Sequence, residues 1–121
     1  MLKNRKSPRV NLLGRIEVYD AQSNEFLGLM VDISTEGFKV LTKNQMKQGK
    51  EYLLSIVLPV GNRNRKIVFK ADVRWCGKDI NNDLFAAGCY WVQIKAKDRL
   101  DLGVLMINEL MPHDDDHNSN A

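Results

Sequence analysis

Two short stretches of the chain combine residue types that could recognise a charged ligand. The first is basic, with Arg5 and Arg9 in the pattern R-x-x-x-R. The second has the pattern D-x-S-x-x-G, formed by Asp32, Ser34 and Gly37 between two apolar runs. Arginine offers a planar fork of N–H donors that suits oxyanions, and Asp and Ser offer acceptors. Taken alone, the second stretch is typical of a tight β-connection and the first of a solvated terminus.

The order of the two motifs, with strand patterns on both sides of the second, resembles the PilZ domain, a bacterial receptor module for cyclic di-GMP. Every motif position matches, and the resemblance extends from residue 5 to about residue 111. It implies a non-enzymatic receptor that binds cyclic di-GMP and relays the signal to a partner protein that the sequence does not identify. It also implies a role in the regulation of biofilms or motility.

The candidate ligand-binding residues are Arg5, Arg9, Asp32, Ser34, Gly37 and Trp75. The arginines would contact phosphate oxygens or the O6/N7 edge of guanine. Asp32 would accept hydrogen bonds from guanine N1–H and N2–H2, and Ser34 would bond a base or a phosphate. Gly37 would serve backbone geometry, with φ > 0 permitted there. Trp75 fits either a stacking platform for guanine, as in some PilZ proteins, or an ordinary core or rim tryptophan.

Length and composition limit the class of protein. The 121 residues are enough for one domain, and 44% of them are hydrophobic. The chain has neither an apolar run long enough for a membrane helix nor a readable secretory signal, so we expect a cytoplasmic protein without membrane insertion. We divide it into a flexible basic arm (1–9), a barrel with a helix (10–111) and a disordered acidic tail (112–121). The net charge is only +3, but every charged residue of the arm is basic.

Strand patterns dominate the middle of the chain and predict an all-β fold. They occupy residues 10–19, 26–31, 38–41, 52–58, 67–75 and 85–94. In the second pattern Leu27, Leu29 and Val31 alternate, and polar residues 42–50 permit a single helical turn. The fourth strand pattern ends at Pro59 and the loop of residues 61–65. Short strands joined by turns predict a small antiparallel barrel, and the resemblance implies six strands with a C-terminal α-helix.

The periodicity becomes helical from Ala96. The apolar residues Leu100, Val104, Ile107 and Met111 recur at helical spacing, and Pro112 ends the pattern. A helix of this length is marginal alone, so we expect this stripe to pack on the barrel. Asp98 is a candidate for the N-cap or for a first-turn acid.

Other reactive residue types do not suggest catalysis. Cys76 and Cys89 would face each other across a hairpin if its turn centres between Asn82 and Asp83, but free thiols are expected in the cytoplasm. His113 and His117 flank three aspartates, although a disordered tail does not preorganise a metal site, and we expect no metal and no cofactor. No nucleophile–base pattern is present, so we expect no enzyme.

Two alternatives remain open. The first is a PilZ-fold adaptor that uses protein contacts and binds nucleotide weakly or not at all. The second is a small basic barrel for single-stranded nucleic acid, which we do not expect because most aromatic residues fall at core-alternating positions. Steep salt dependence would distinguish nucleic-acid tracking from a pocket that reads guanine edges.

Overall fold

The computed structural model describes residues 9–60, 62–80 and 83–110. Six strands and one helix follow in order: β1 (Val10–Asp20), β2 (Phe26–Ile33), β3 (Gly37–Thr42), β4 (Glu51–Val60), β5 (Arg63–Lys78), β6 (Phe85–Gln93) and α1 (Ala96–Leu110). The six strands pair antiparallel in the order β1-β2-β3-β6-β5-β4 and close into a barrel through β1 and β4. The all-β prediction, six antiparallel strands followed by a C-terminal helix, is therefore confirmed.

The barrel interior is filled by apolar side chains that alternate along each strand. The alternation of Ile67, Phe69, Ala71 and Val73 places all four in the core, each no more than 2% exposed. Phe38 lies edge-on to Phe69, with ring centroids 5.7 Å apart. Because β-strand side chains alternate between faces, the intervening residues of β5 point outward.

β2 departs from simple alternation. Its ladder with β3 is irregular between Met30 and Asp32, which leaves Val31 as an extra residue. The core residues are consequently Met30 and Ile33, three positions apart, rather than the alternating residues Leu27, Leu29 and Val31. A β-bulge inverts the facing of everything after it, and here it removes Asp32 from the inward series.

The helix packs on the barrel with the face opposite to the one predicted. Leu102 is 4% exposed and joins the core, whereas Leu100, Val104 and Ile107 are exposed. The prediction that this stripe packs on the barrel is wrong for those three residues, and Met111 lies outside the described residues. Helical periodicity is satisfied by either face, because α1 carries a second apolar series at Leu102, Leu105 and Met106.

Arg65, near the start of β5, holds the first turns of α1. Its guanidinium lies 2.6 Å from Oδ1 of Asp98 and donates a hydrogen bond of 2.6 Å to Oδ2 of Asp101. The contact with Asp98 is a close charge contact without hydrogen-bond angles, since Oδ1 of Asp98 has no hydrogen-bond partner. Asp98 is the predicted first-turn acid, and its contact with Arg65 ties the start of α1 to β5.

Three smaller expectations differ from the structure. β4 continues through Pro59, which pairs with Asn64, so the hairpin loop is shorter than predicted. This is tolerated because β1 pairs with β4 only at positions 54–56, away from Pro59. The segment 43–50 forms bends and a turn without a helical turn. Cys76 pairs with Ala87 and Cys89 with Val73, so the two cysteines are offset and free.

Burial of Cys89 raises the pKa of its thiol to about 12. The neighbouring Cys76 and Asp72 contribute smaller parts of this rise in pKa, so Cys89 is a neutral core residue at physiological pH. Within the described chain, α1 is too short and too polar to cross a membrane.

Candidate ligand-binding face

The two sequence motifs meet through an ion pair. Nη1 of Arg9 donates a hydrogen bond of 2.8 Å to Oδ1 of Asp32 across the start of β1 and the end of β2. The side chain of Asp32 is only 12% exposed and that of Arg9 is 26% exposed. The carboxylate is therefore oriented by a partly desolvated cation. Arg5 lies outside the described residues.

The β2 bulge and the strand register place Asp32 in a row that crosses four strands. Asp32 pairs with Lys39 of β3, Lys39 with Gly88 of β6, and Gly88 with Trp75 of β5. Directly opposed residues in antiparallel strands lie on one face of the sheet. Asp32 and Trp75, far apart in sequence, consequently belong to the same outer face.

Trp75 is an exposed residue of this face and does not belong to the core. It is 45% exposed, and its indole lies directly over Gly88, where any Cβ would collide with it. The absence of a side chain at Gly88 therefore leaves the space on β6 that the Trp75 indole occupies. The structure decides against a core tryptophan.

Three further residues of this face were not singled out from the sequence. Lys39 stands between Asp32 and Trp75 in the cross-strand row. Arg74 lies over the ring of Tyr90, 4.5 Å from its centroid. A lysine in an alternating strand carries no motif signal, so only the register could reveal Lys39. We call Arg9, Asp32, Lys39, Arg74, Trp75 and Tyr90 the motif face.

Ser34 is committed to the turn between β2 and β3. Its hydroxyl accepts hydrogen bonds from the amides of Glu36 (3.2 Å) and Gly37 (3.3 Å), and its own amide bonds the carbonyl of Gly37 at 2.8 Å. Ser34 is 4% exposed. The serine therefore fixes the path of the turn beside Asp32.

Gly37 is required for a reason other than the one expected. Its φ is not positive; among the described glycines only Gly49 has a positive φ, of 85°. A Cβ on Gly37 would instead collide with the backbone carbonyl of Cys89 in β6. The glycine allows β3 to start in close contact with β6.

Trp91 fastens the same turn to β6. Its indole Nε1 donates a hydrogen bond of 3.2 Å to the carbonyl of Ser34, and its amide donates one of 3.1 Å to the carbonyl of Glu36. Its ring packs on Phe38 and Phe69, with centroids 4.8 and 5.0 Å away. Trp91 thus links the motif turn to the aromatic core, a role that strand alternation alone did not indicate.

A cavity of about 170 Å³ lies between this turn and α1. Its walls include Ser34, Trp91, Leu102 and Met106, and most of its lining is apolar. The described residues contain no cluster of three His, Cys, Asp or Glu side chains that could hold a metal ion. The motif face, in contrast to this cavity, presents arginine, carboxylate, lysine and indole groups that could contact a ligand.

The closed antiparallel barrel brings Arg9 of the R-x-x-x-R motif beside Asp32 of the D-x-S-x-x-G motif. The sequence matches the family described as PilZ domain over residues 3–107. The chain belongs to this family. A search of curated proteins found no match.

Solved structures share the fold at low sequence identity. The Bacillus subtilis inhibitor of motility MotI/DgrA superposes with a TM-score of 0.71 at 21% identity, covering 88% of this chain and 51% of that one. The PilZ domain of Escherichia coli YcgR with c-di-GMP gives 0.64 at 14% identity, covering 88% and 92%. The Klebsiella pneumoniae MrkH–c-di-GMP complex gives 0.66 at 13%, covering 88% and 52%. This chain spans about half the length of the MotI and MrkH chains.

Proposed function

We propose that this protein is a non-enzymatic, cytoplasmic receptor for cyclic di-GMP that passes its signal to a downstream protein. The observation that carries the proposal is the 2.8 Å ion pair between Arg9 and Asp32, one residue from each motif. Two solved neighbours, the YcgR PilZ domain and MrkH, are described with c-di-GMP bound. Membership of the PilZ family and this joined pair of motifs together support the same ligand here.

The motif face offers complementary groups to each part of the dinucleotide. Among the described residues only Arg9 bonds the Asp32 carboxylate, at Oδ1, so the second oxygen can accept from guanine N1–H and N2–H2. The exposed indole of Trp75 offers a stacking surface, and the Lys39 ammonium between the two offers a phosphate contact. Ser34 and Gly37 shape the turn that presents Asp32.

Arg9 performs two tasks in this proposal. It orients the Asp32 carboxylate before the ligand arrives, and its remaining N–H donors reach a phosphate or the guanine O6/N7 edge. A preformed acceptor lowers the ordering cost of binding. Arg5, supplied by the N-terminal arm, would add the second guanidinium, and ordering of that arm over the motif face would form the signal for the partner.

Calorimetric titration with cyclic di-GMP tests the proposal. We expect saturable binding with a Kd of about 1 µM or tighter, equivalent to about −8 kcal/mol. GTP should give no comparable heat, because one guanine cannot occupy both Asp32 and Trp75. Affinity should fall only modestly between low and physiological salt, unlike nucleic-acid tracking.

The absence of heat and of NMR shifts at high ligand concentration would reject the receptor function. The adaptor function, with protein contacts only, would then replace it. Equal binding of GTP would reject the role of the full motif face.

A further inference from the structure

Two consecutive side chains of β5 are exposed on the motif face. The ladder between β5 and β6 is irregular between Val73 and Trp75, which leaves Arg74 as an extra residue. A β-bulge of this kind re-aims side chains, and both Arg74 and Trp75 are exposed. The proposed function gives Trp75 a task, but it gives none to Arg74.

Arg74 is held at this face by two neighbours. Its guanidinium carbon, Cζ, lies 4.5 Å from the centroid of the Tyr90 ring, within the range of a cation–π contact. Its Nε lies 3.9 Å from Oδ2 of Asp72, and 52% of the arginine side chain is exposed. Among the described residues the guanidinium makes no hydrogen bond. Arg74 is therefore a positioned cation whose N–H donors are available to a ligand.

The indole beside Arg74 indicates which group those donors would meet. Trp75 pairs with Gly88, and its indole occupies the space that a side chain at Gly88 would fill. Tyr90 follows two residues later in β6, so its ring lies on the same outer face. A base stacked on the indole can therefore direct one edge toward the guanidinium above Tyr90. Guanine carries two acceptors, O6 and N7, on one edge, and the fork of arginine bonds both.

We propose that Arg74 is a specificity-determining residue that reads the O6/N7 edge of the guanine stacked on Trp75. Tyr90 and Asp72 act through Arg74 as positioning residues. Asp32 reads the N1 and N2 donors of the other guanine, so the two bases are recognised at different edges. Adenine has a donor, the N6 amine, in place of O6, and Arg74 disfavours it on the indole. The inference rests on the proposed receptor function, because the ligand is the same dinucleotide.

Calorimetric titration with base analogues separates the two kinds of recognition. Cyclic di-GMP made with 7-deazaguanine lacks N7, and cyclic di-IMP lacks the N2 amine. The wild-type protein should bind each analogue about tenfold more weakly than cyclic di-GMP, since each loses a hydrogen bond to a charged group. In Arg74→Met the penalty for 7-deazaguanine should largely disappear, whereas the penalty for cyclic di-IMP should remain. Asp32→Ala should show the reverse.

Three further variants control for charge and for folding. Arg74→Met should itself weaken binding of cyclic di-GMP about tenfold. Arg63→Met is the matched control, since Arg63 is an exposed arginine of β5 outside the motif face, and it should bind all three ligands like the wild type. Tyr90→Leu should weaken binding because the guanidinium loses its support, and Tyr90→Phe should restore most of it because the ring is kept. Circular dichroism verifies that each variant is folded.

The outcomes distinguish this inference from the receptor function. An Arg74→Met variant that binds cyclic di-GMP like the wild type would overturn the inference and leave the receptor function intact. An equal loss of affinity for all three ligands would also overturn it, because Arg74 would then contact a phosphate or act through net charge. A wild-type protein that binds none of the three ligands would reject the receptor function, and this inference with it.

Discussion

At the scale of single residues, the Arg9–Asp32 pair serves orientation more than stability. Asp32 is largely buried and Arg9 is partly exposed, and the net gain from one charge-assisted hydrogen bond of this kind is about 1.5–3 kcal/mol at most. Its value for binding is that the carboxylate is held in place beside a turn fixed by Ser34 and Trp91. Binding should therefore be more sensitive than folding to changes in this pair.

We expect Arg9→Ala to weaken binding of cyclic di-GMP at least tenfold, and Arg9→Lys to restore little of it. Lysine keeps the charge but lacks the planar fork that can bond Asp32 and the ligand together. Asp32→Ala should cost about 1–3 kcal/mol of binding free energy, because guanine donors are left unpaired. Calorimetry on both single variants and the double variant measures the coupling. Unchanged affinity in Asp32→Ala would assign the residue a structural role only.

Lys39 allows a separate test of the cross-strand row. Lys39→Met should weaken cyclic di-GMP binding severalfold, because a phosphate contact is lost while the apolar stem is retained. Lys70→Met, which changes an exposed lysine of β5 paired with Gln93, is the matched control and should bind normally. Equal losses in the two variants would show a general effect of net charge and would exclude Lys39 from the site.

At the scale of elements, the β2–β3 turn depends on close backbone packing at Gly37. Gly37→Ala should lower the free energy of unfolding by about 1–3 kcal/mol, because the new Cβ meets the rigid carbonyl of Cys89. Gly77→Ala is the control, since nothing lies within 4 Å of its Cβ position. Chemical denaturation of both variants measures the difference. Equal stability would mean that β3 and β6 can separate without cost.

The anchoring of α1 depends on Arg65. Arg65→Met should lower stability by about 1–3 kcal/mol, because the 5%-exposed side chain of Asp98 loses its counter-charge. Hydrogen exchange of α1 should accelerate more than that of β4. Asp98→Asn in the same chain should recover part of the loss, since it removes the unpaired charge. No recovery would locate the effect in the Asp101 contact.

At the scale of the whole molecule, the proposed signal is the ordering of the N-terminal arm over the motif face. Ordering costs about 1 kcal/mol per residue, so more than one arginine contact is needed to offset it. An extended path separates Arg5 from Arg9 by roughly 13 Å at most, which allows both to reach one ligand.

Hydrogen exchange should therefore slow across residues 2–10 when cyclic di-GMP is added. The buried β4 residues Leu54, Ser55, Ile56 and Leu58 provide the internal reference, and their exchange should not change. Normal binding with unchanged exchange in residues 2–10 would reject arm closure while leaving the receptor function intact.

The sequence by itself determined the class of fold and the two motifs. Apolar runs and turn residues are local signals, and they located all six strands. The alternating residues predicted for β2 were nevertheless the wrong ones for the core. Arg9, Asp32, Ser34 and Gly37 carry family patterns that can be read without coordinates. The strand boundaries in the structure differ from the predicted ones where a hairpin extends beyond its apolar residues, as at Pro59.

Only the tertiary structure decided which residues share a face. The bulge in β2 sets the facing of Asp32, and the register of three strand pairs brings Lys39, Gly88 and Trp75 beside it. α1 carries two apolar stripes of equal periodicity, so its pattern could not choose between them. In the structure Arg65 binds Asp98 and Leu102 enters the core, and both are long-range contacts that a helical period does not encode.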